Sequence, residues 1–378
     1  MKQEALPLEL VERILLFLPV KSLIRFRCVS KQWLSLISDS RFAKLHYDSA
    51  EAAPTNKNTR VLYLSSEVPE ARYVDVEASI RCDYAIQLPL SCRHRRINIV
   101  GSCRGFILLQ TCVNGTKFLL WNPVTGSHKA VPYPTDDPNV PWTGFHEADH
   151  IWDGFGYDES TDDYFIVLGW VEGYYCTPHW LYFSVRTNSW KEIECGHPQS
   201  AISDYPPLFC NGAIHWLAVT VGDFKLVIDA FDLAGRNLSV ISLPKHIQGC
   251  SNERRLVLLD GCLGISYLLA QDRKTEIFIM KEYKVESSWT KLDIVLPCDY
   301  YDINPVCFTN GGELVGTKYK KWLEVSNNEK LVKVSNDGAL MESQTINCSH
   351  SYSKMVMFTE SLLSIPDEFG GTGEDQGK

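Results

Sequence analysis

The chain has 378 residues, enough for one large or two moderate domains, and its 24 Gly, 18 Pro and 11% aromatic residues are typical of a β-rich fold with many turns. Its formal charge is −9, but eight basic and four acidic residues give the segment 1–46 a charge of +4 and leave −13 on the remainder, which argues against a nucleic-acid partner. No apolar run approaches a membrane span of about 18 residues, no signal peptide is evident and the 13 cysteines lack paired spacing, so we expect no membrane contact and a cytoplasmic or nuclear location.

The first 46 residues are predicted to form three short helices. Apolar residues recur at helical spacing between Pro7, which suits a first helical turn, and Pro19, which ends the helix. A second helix is expected over 22–27, and Ser30 is placed to cap a third. Three helices in about forty residues are too few to bury their own apolar faces, so this unit must offer a face to the rest of the chain or to another protein.

This segment resembles an F-box of the plant type. The matching features are the Leu6-Pro7 opening, the Leu18-Pro19 break, the Lys21-Ser22-Leu23 step, the Arg25-Phe26-Arg27-Cys28-Val29-Ser30-Lys31 run and Trp33. An F-box docks a substrate receptor onto the Skp adaptor of a cullin-based ubiquitin ligase, and the resemblance implies these partners. It also implies an adaptor surface formed or supported by Leu6, Pro7, Leu10, Ile14, Leu15, Leu18, Pro19, Leu23, Cys28, Val29 and Trp33, with Arg25 and Lys31 at its rim. The alternative is that the helices merely cap the following domain.

A repeat follows a linker that we predict over 47–59. A turn glycine leading into an apolar strand recurs about every 50 residues, the length of one four-stranded propeller blade. The anchors are Arg104-Gly105-Phe106, Gly154-Phe155-Gly156-Tyr157-Asp158, Asn211-Gly212-Ala213, Asp260-Gly261-Cys262 and Asn310-Gly311-Gly312. Strand material remains at both ends, at 60–90 and 354–365, and we expect it to pair into a composite blade that closes a ring of about six blades.

The same region resembles the F-box associated domain of plant F-box proteins, a kelch-like propeller. The resemblance rests on Gly101-Ser102-Cys103-Arg104-Gly105, Leu120-Trp121-Asn122-Pro123-Val124-Thr125-Gly126, Gly154–Asp158, Asn188-Ser189-Trp190-Lys191 and Ser288-Trp289-Thr290-Lys291-Leu292, and the insert Asp136–His150 departs from the pattern. The expected fold class is α+β: a three-helix F-box at 1–46, the linker, an all-β propeller of about six blades at 60–366 and a disordered tail at 367–378. We expect blade-to-blade packing of Trp121, Trp190, Trp216 and Trp289.

One stretch satisfies a catalytic motif. His146-Glu147-Ala148-Asp149-His150 reads H-E-x-x-H, which on a helix places two histidines on zinc. Prolines and glycines on both sides leave room for at most two helical turns, so we expect a solvated loop instead. His179 and His215 are lone histidines in strand contexts, typical of core or rim positions. The sequence therefore predicts no catalytic residue, no metal and no cofactor.

Recognition of a target is expected on loops at one face of the propeller, where aromatic and polar side chains supply binding energy. The candidate loops are 134–152, 172–180 and 299–304, and the candidate contacts are Trp142, His146, Trp152, Tyr174, Tyr175, His179, Tyr300 and Tyr301. The predicted function is a non-enzymatic substrate-recognition subunit of a Skp–cullin–F-box ubiquitin ligase that holds a protein target of unknown identity. The alternatives are a propeller scaffold without a ligase role and a propeller hydrolase.

Overall fold

The structure is a computed structural model that describes residues 7–51, 59–65, 70–89, 97–112, 116–134, 151–170, 179–193, 199–201, 207–220, 223–247, 254–269, 274–294, 303–318, 329–346 and 355–366. Within these ranges four α-helices come first and 25 β-strands follow. The helices are α1 (Leu8–Leu15), α2 (Val20–Phe26), α3 (Lys31–Ile37) and α4 (Ser40–Glu51). None of the described helices is both long and apolar enough to cross a membrane.

Proline and serine set the starts of the first three helices. Pro7 and Pro19 stand immediately before α1 and α2, where the missing N–H leaves no hydrogen bond unmade. The backbone N–H of Trp33 donates to Ser30 Oγ at 3.1 Å, so Ser30 caps α3 as predicted. These local signals were readable in the sequence because each depends on one residue type at one position.

The fourth helix corrects the predicted helix count and domain boundary. α4 continues through Glu51, so residues 47–51 are helical and do not belong to a linker. Its buried side chains, at helical spacing, are Phe42, Ala43, His46 and Tyr47. Polar residues on the exposed side of α4 make this apolar spacing weak in the sequence, and the prediction of three helices therefore missed the fourth.

The described strands form six antiparallel sheets, the blades of a propeller, which confirms the predicted six. Blade 1 contains β25 (Met355–Thr359), β1 (Thr59–Leu64), β2 (Ala71–Asp75) and β3 (Ser79–Ile86); blade 2 contains β4 (Ile97–Cys103), β5 (Phe106–Cys112), β6 (Thr116–Trp121) and β7 (His128–Val131); blade 3 contains β8 (Ile151–Asp158), β9 (Asp163–Trp170), β10 (His179–Ser184) and β11 (Ser189–Ile193). Blade 4 contains β12 (Gln199–Ala201), β13 (Leu208–Cys210), β14 (Ala213–Thr220), β15 (Leu226–Asp232) and β16 (Asn237–Ser242); blade 5 contains β17 (Arg254–Leu259), β18 (Cys262–Leu269), β19 (Lys274–Met280) and β20 (Trp289–Leu292); blade 6 contains β21 (Ile303–Phe308), β22 (Leu314–Lys318), β23 (Glu329–Val334) and β24 (Leu340–Ile346).

The two ends of the propeller sequence meet in blade 1. β25 pairs antiparallel with β1, placing Phe358 opposite Arg60 and Met355 opposite Tyr63. The predicted composite blade is therefore confirmed. Pairing the last strand with the first closes the ring and leaves neither strand as an open edge at the closure point.

Turn glycines mark the blades at four of the five predicted anchors. These glycines have φ between +70° and +85°, a conformation that L side chains rarely adopt, and they are Gly105, Gly212, Gly261 and Gly312. The fifth anchor has another role, because Gly154 and Gly156 lie inside β8 and not in a turn. A Cβ would come within 2.6 Å of Ile214 at Gly154 and within 2.5 Å of Phe209 at Gly156. These two glycines let blade 4 pack closely on blade 3.

Indole groups join neighbouring blades. Trp190 Nε1 donates to the carbonyl of Pro132 at 2.9 Å, and Trp216 Nε1 donates to the carbonyl of Asp153 at 2.9 Å. In each pair the acceptor comes from the preceding blade: Pro132 directly follows β7 of blade 2, and Asp153 lies in β8 of blade 3. Trp121 is fully buried between blades 1 and 2, and Trp289 Nε1 donates to the carbonyl of Ser242 at 3.2 Å. The predicted blade-to-blade packing of tryptophans is confirmed.

Candidate docking surface on the helical unit

An exposed apolar stripe runs along α1 and the turn that follows it. Leu10, Ile14 and Phe17 are spaced by four and then three residues, so they share one side. Ile14 is 54% exposed and Phe17 is 84% exposed. The apolar patch, as we define it, consists of these three exposed side chains; Leu8, Val29 and Leu34 are further exposed apolar residues of the helical unit. Exposed apolar side chains grouped in this way mark a surface for another protein.

The propeller closes the opposite side of the helical unit. Leu15, Leu23 and Phe42 are buried in one cluster that also contains Leu362, from the segment after β25. Val124, between β6 and β7, packs against the same cluster. Leu15 therefore faces the core while its neighbour Ile14 faces outward. The apolar core of the four helices therefore includes side chains of the propeller.

The residues predicted to form or support an adaptor surface differ in exposure. Exposed are Pro7, Leu10, Ile14, Pro19, Arg25, Cys28, Val29 and Lys31; half-buried are Leu18 and Trp33; buried are Leu15 and Leu23; Leu6 lies outside the described ranges. The buried pair supports the surface from below and has no exposed atoms to offer a partner. Sequence reasoning missed Phe17, the most exposed large apolar side chain in the described part of the chain. The sequence pattern that would have identified Phe17 is its three-residue spacing from Ile14, which places both side chains on one side.

A lysine of α2 anchors the helical unit on blade 1. Lys21 Nζ donates to the Tyr73 hydroxyl, lies 3.8 Å from Glu360 Oε1, and stands 4.6 Å and 5.3 Å from the ring centroids of Tyr73 and Tyr84. Arg60 of β1 also donates to Glu360. Burial raises the pKa of Glu360, and the positive charges of Arg60 and Lys21 oppose that rise. One carboxylate after β25 thus joins the helices to the first and last strands of the propeller.

An arginine of the propeller makes the second anchor. The Arg104 guanidinium, in the turn between β4 and β5, lies 4.5 Å from the ring centroid of Tyr47 in α4 and 4.3 Å from that of Tyr157 in blade 3. It also donates to Asp48 of α4 at 3.1 Å. These contacts hold the helices on one face of the propeller. On this face end the strands nearest the propeller axis, which are β4, β8, β13, β17, β21 and β25. We call this the helix-bearing face and the opposite one the far face.

Two of the residues predicted to contact a target, Trp152 and His179, lie in the described ranges, close to the far-face ends of β8 and β10. The prediction that Trp152 contacts a target is wrong, because β8 directs its side chain into the blade core. Trp152 is 5% exposed and stacks on Trp180 with ring centroids 5.7 Å apart. His179 is half-buried and stacks on Trp170 at 5.3 Å. Outside the described ranges lie Trp142, His146, Tyr174, Tyr175, Tyr300, Tyr301 and the whole H-E-x-x-H stretch.

His215 is a packing residue of the propeller. It is fully buried, with Nδ1 3.0 Å from the carbonyl oxygen of Leu208 and Nε2 2.9 Å from the hydroxyl of Tyr283 in blade 5. Burial lowers the pKa of His215 to about 4, so the ring is neutral near pH 7. In the part of the chain that the structure describes, no group of three or more His, Cys, Asp or Glu side chains is arranged to hold a metal ion.

Comparison with known proteins places these two units in a family. Residues 4–45 match the F-box domain and residues 55–365 match the F-box associated β-propeller domain. The F-box/kelch-repeat protein At3g23880 of Arabidopsis thaliana is 27% identical over 301 residues, covering 76% of this chain and 78% of that protein, and the F-box protein CPR1 of the same plant is 26% identical over 389 residues, covering 95% and 89%. Among solved structures, TolB from Acinetobacter baumannii is distantly similar, with a TM-score of 0.48 at 12% identity over 84% of this chain and 72% of that chain. The chain therefore belongs to the family of F-box proteins that carry an F-box associated β-propeller domain.

Proposed function

We propose that this protein is the substrate-recognition subunit of a Skp–cullin–F-box ubiquitin ligase. The helical unit docks on a Skp-type adaptor, and through it on a cullin, while the propeller holds a protein target. The apolar patch carries the proposal. It lies within the F-box match, and Ile14 and Phe17 remain uncovered although the other side of the unit is sealed by the propeller. A helical partner that packs on this stripe would bury both side chains.

Charge supports an acidic adaptor surface at the rim of the patch. Residues 1–46 carry +4, and Arg25 and Lys31 are both exposed. Lys21 is engaged with Glu360 of the propeller and is not available for the same task. Charges at an interface rim chiefly raise the association rate and its salt dependence, so Arg25 and Lys31 guide docking and the apolar patch supplies most of the affinity.

The proposed mechanism is proximity, without a catalytic residue in this chain. The two anchors fix the helical unit to one face of the ring. A target bound at the far face would then be held at a defined position relative to the ligase. Its acceptor lysines meet the charged ubiquitin carrier at a raised effective concentration. We further propose that this takes place in the cytoplasm or the nucleus.

The experiment is co-purification of the full-length protein with a plant Skp adaptor. Burial of a large apolar side chain contributes about 1.5–3 kcal/mol, so Phe17→Asp or Ile14→Asp should weaken adaptor binding roughly tenfold or more. Phe224→Asp is the matched control, because Phe224 is 77% exposed but lies between β14 and β15 on the propeller. Retention of the adaptor by the Ile14→Asp/Phe17→Asp double variant at the unaltered level would refute the docking assignment.

A further inference from the structure

The six innermost strands surround a channel along the propeller axis. It contains a cavity of about 240 Å³ to which β4, β8, β13, β17, β21 and β25 all contribute. The wall is largely apolar, and its large apolar side chains include Phe155, Phe209, Leu256, Leu258, Met355 and Met357. All of these except Phe155 are only half-buried, so they present apolar surface to the channel. Apolar surface left open in the centre of a protein has an affinity for apolar molecules.

Three of the six wall positions depart from regular strand geometry beside the cavity. The pairing of β4 with β5 skips Val100, and that of β21 with β22 skips Val306, so each strand carries a one-residue bulge. Both skipped residues line the cavity. In blade 4 two short strands, β12 and β13, share the innermost position beside β14. Bulges bend a strand and re-aim a side chain, and they are enriched next to functional sites, so the cavity has a shape that regular blades would not give it.

Most polar side chains of the cavity wall lie near the far face, and Ser102 lies toward the helix-bearing face. The polar lining side chains near the far face are Arg255, Asn304, Thr317 and Glu329, each within two positions of the end of its strand. Together these side chains supply hydrogen-bond donors and acceptors. Toward the helix-bearing face the same channel widens into a cavity of about 800 Å³ bordered by Tyr47 and Glu51 of α4. Ser102, Phe209, Leu258 and Met357 line both cavities, which gives a ligand a route in.

We propose that this channel binds a small, mostly apolar molecule with one uncharged hydrogen-bonding end, such as a hydroxyl or an amide. The apolar body lies between Phe209, Leu258 and Met357, and the polar end points toward the far face. Unbranched methionines adapt to irregular ligand shapes, which suits a wall with two of them. The volume lies below the roughly 300–1,000 Å³ of sites for drug-sized ligands, so the ligand is smaller than those. This inference goes beyond the proposed ligase function and does not depend on it.

The test is methyl NMR of the full-length protein labelled at its methionine methyl groups, titrated with 1-naphthol as a neutral apolar probe with one hydroxyl. The chain has five methionines, two of them in the channel wall. We expect saturable shifts of the Met355 and Met357 signals and none of Met341, which is exposed on β24. Absence of saturable shifts at the wall, or an equal response of Met341, would overturn the proposal without bearing on adaptor binding.

A filling variant completes the experiment. Val306→Phe places extra volume at the bulge of β21 and should weaken 1-naphthol binding at least tenfold, whereas Phe17→Asp should leave it unchanged because Phe17 lies on the helical unit. Val100→Phe fills the channel from the bulge of β4 and should weaken 1-naphthol binding in the same way, so it replaces Val306→Phe if that variant does not fold. Unaltered probe affinity in a folded filling variant would contradict a site in the channel.

Discussion

Leu362 tests whether the propeller completes the core of the helical unit. Its side chain is 3% exposed and packs in the cluster with Leu15, Leu23 and Phe42. Leu362→Ala removes buried apolar surface and leaves a cavity, a change that costs about 2–5 kcal/mol in well-packed cores. Half-buried neighbours such as Trp33 border the same cluster and can relax into the space. We therefore expect a loss of about 3 kcal/mol, in the middle of that range.

Hydrogen exchange read by mass spectrometry separates this local loss from a global one. If the helical unit opens without the blades, the loss should appear as exchange of α1–α3 amides that is roughly 100-fold faster. Amides of blades 4 and 5, whose shared apolar cluster contains no side chain of the helical unit or of the segment after β25, should keep their rates. Leu340→Ala makes the same chemical change at an exposed leucine of β24 and should cost less than about 0.5 kcal/mol. Unchanged exchange of α1–α3 in Leu362→Ala, or acceleration spread evenly over the blades, would refute the shared core.

Three further predictions concern the anchors and the blades. Lys21→Met removes the cation from Glu360 and should lower the free energy of unfolding in a denaturant titration by about 1 kcal/mol; no measurable change would mean that this anchor is not stabilising. Gly156→Ala places a Cβ 2.5 Å from Phe209 and should lower the free energy of unfolding by about 2 kcal/mol or more. Gly101→Ala is the control, because its nearest contact is at 3.7 Å, and it should change the free energy of unfolding by less than about 1 kcal/mol. Equal losses in the two variants would contradict the close packing of blades 3 and 4. Folding lowers the pKa of His215 to about 4, so the unfolded protein binds this proton more tightly than the folded one. The free energy of unfolding should therefore fall by about 2 kcal/mol through this residue as the pH falls from 7 to 5. His215→Gln should lack this contribution, and an identical pH dependence of stability in both proteins would contradict it.

Much of the architecture could be predicted because it depends on local chemistry. Prolines and Ser30 set helix starts, glycines set turns, and strand material at both ends of the repeat predicted the pairing of β25 with β1. These signals lie in single residues or in spacing along the chain. The apolar stripe at Leu10 and Ile14 was readable for the same reason.

Other features depend on contacts between distant parts of the chain. The spacing of Gly154 and Gly156 suggested a turn, but their role comes from Ile214 and Phe209 of the next blade, which no local pattern reveals. Trp152 looked like a loop aromatic available to a target, and its place beside Trp180 becomes clear only once β8 and β10 share a blade. The bulges in the channel wall are likewise a matter of pairing register.

Footprinting by hydroxyl radicals, with and without a Skp adaptor, tests the central claim most directly. Phe17 and Phe224 are both highly exposed phenylalanines, one on the helical unit and one on the propeller, so each serves as a reference for the other. If the apolar patch is the docking surface, the adaptor should slow oxidation of Phe17 and Ile14 several-fold and leave Phe224 unchanged. Oxidation of Phe17 at the same rate in the complex as in the free protein would contradict the account.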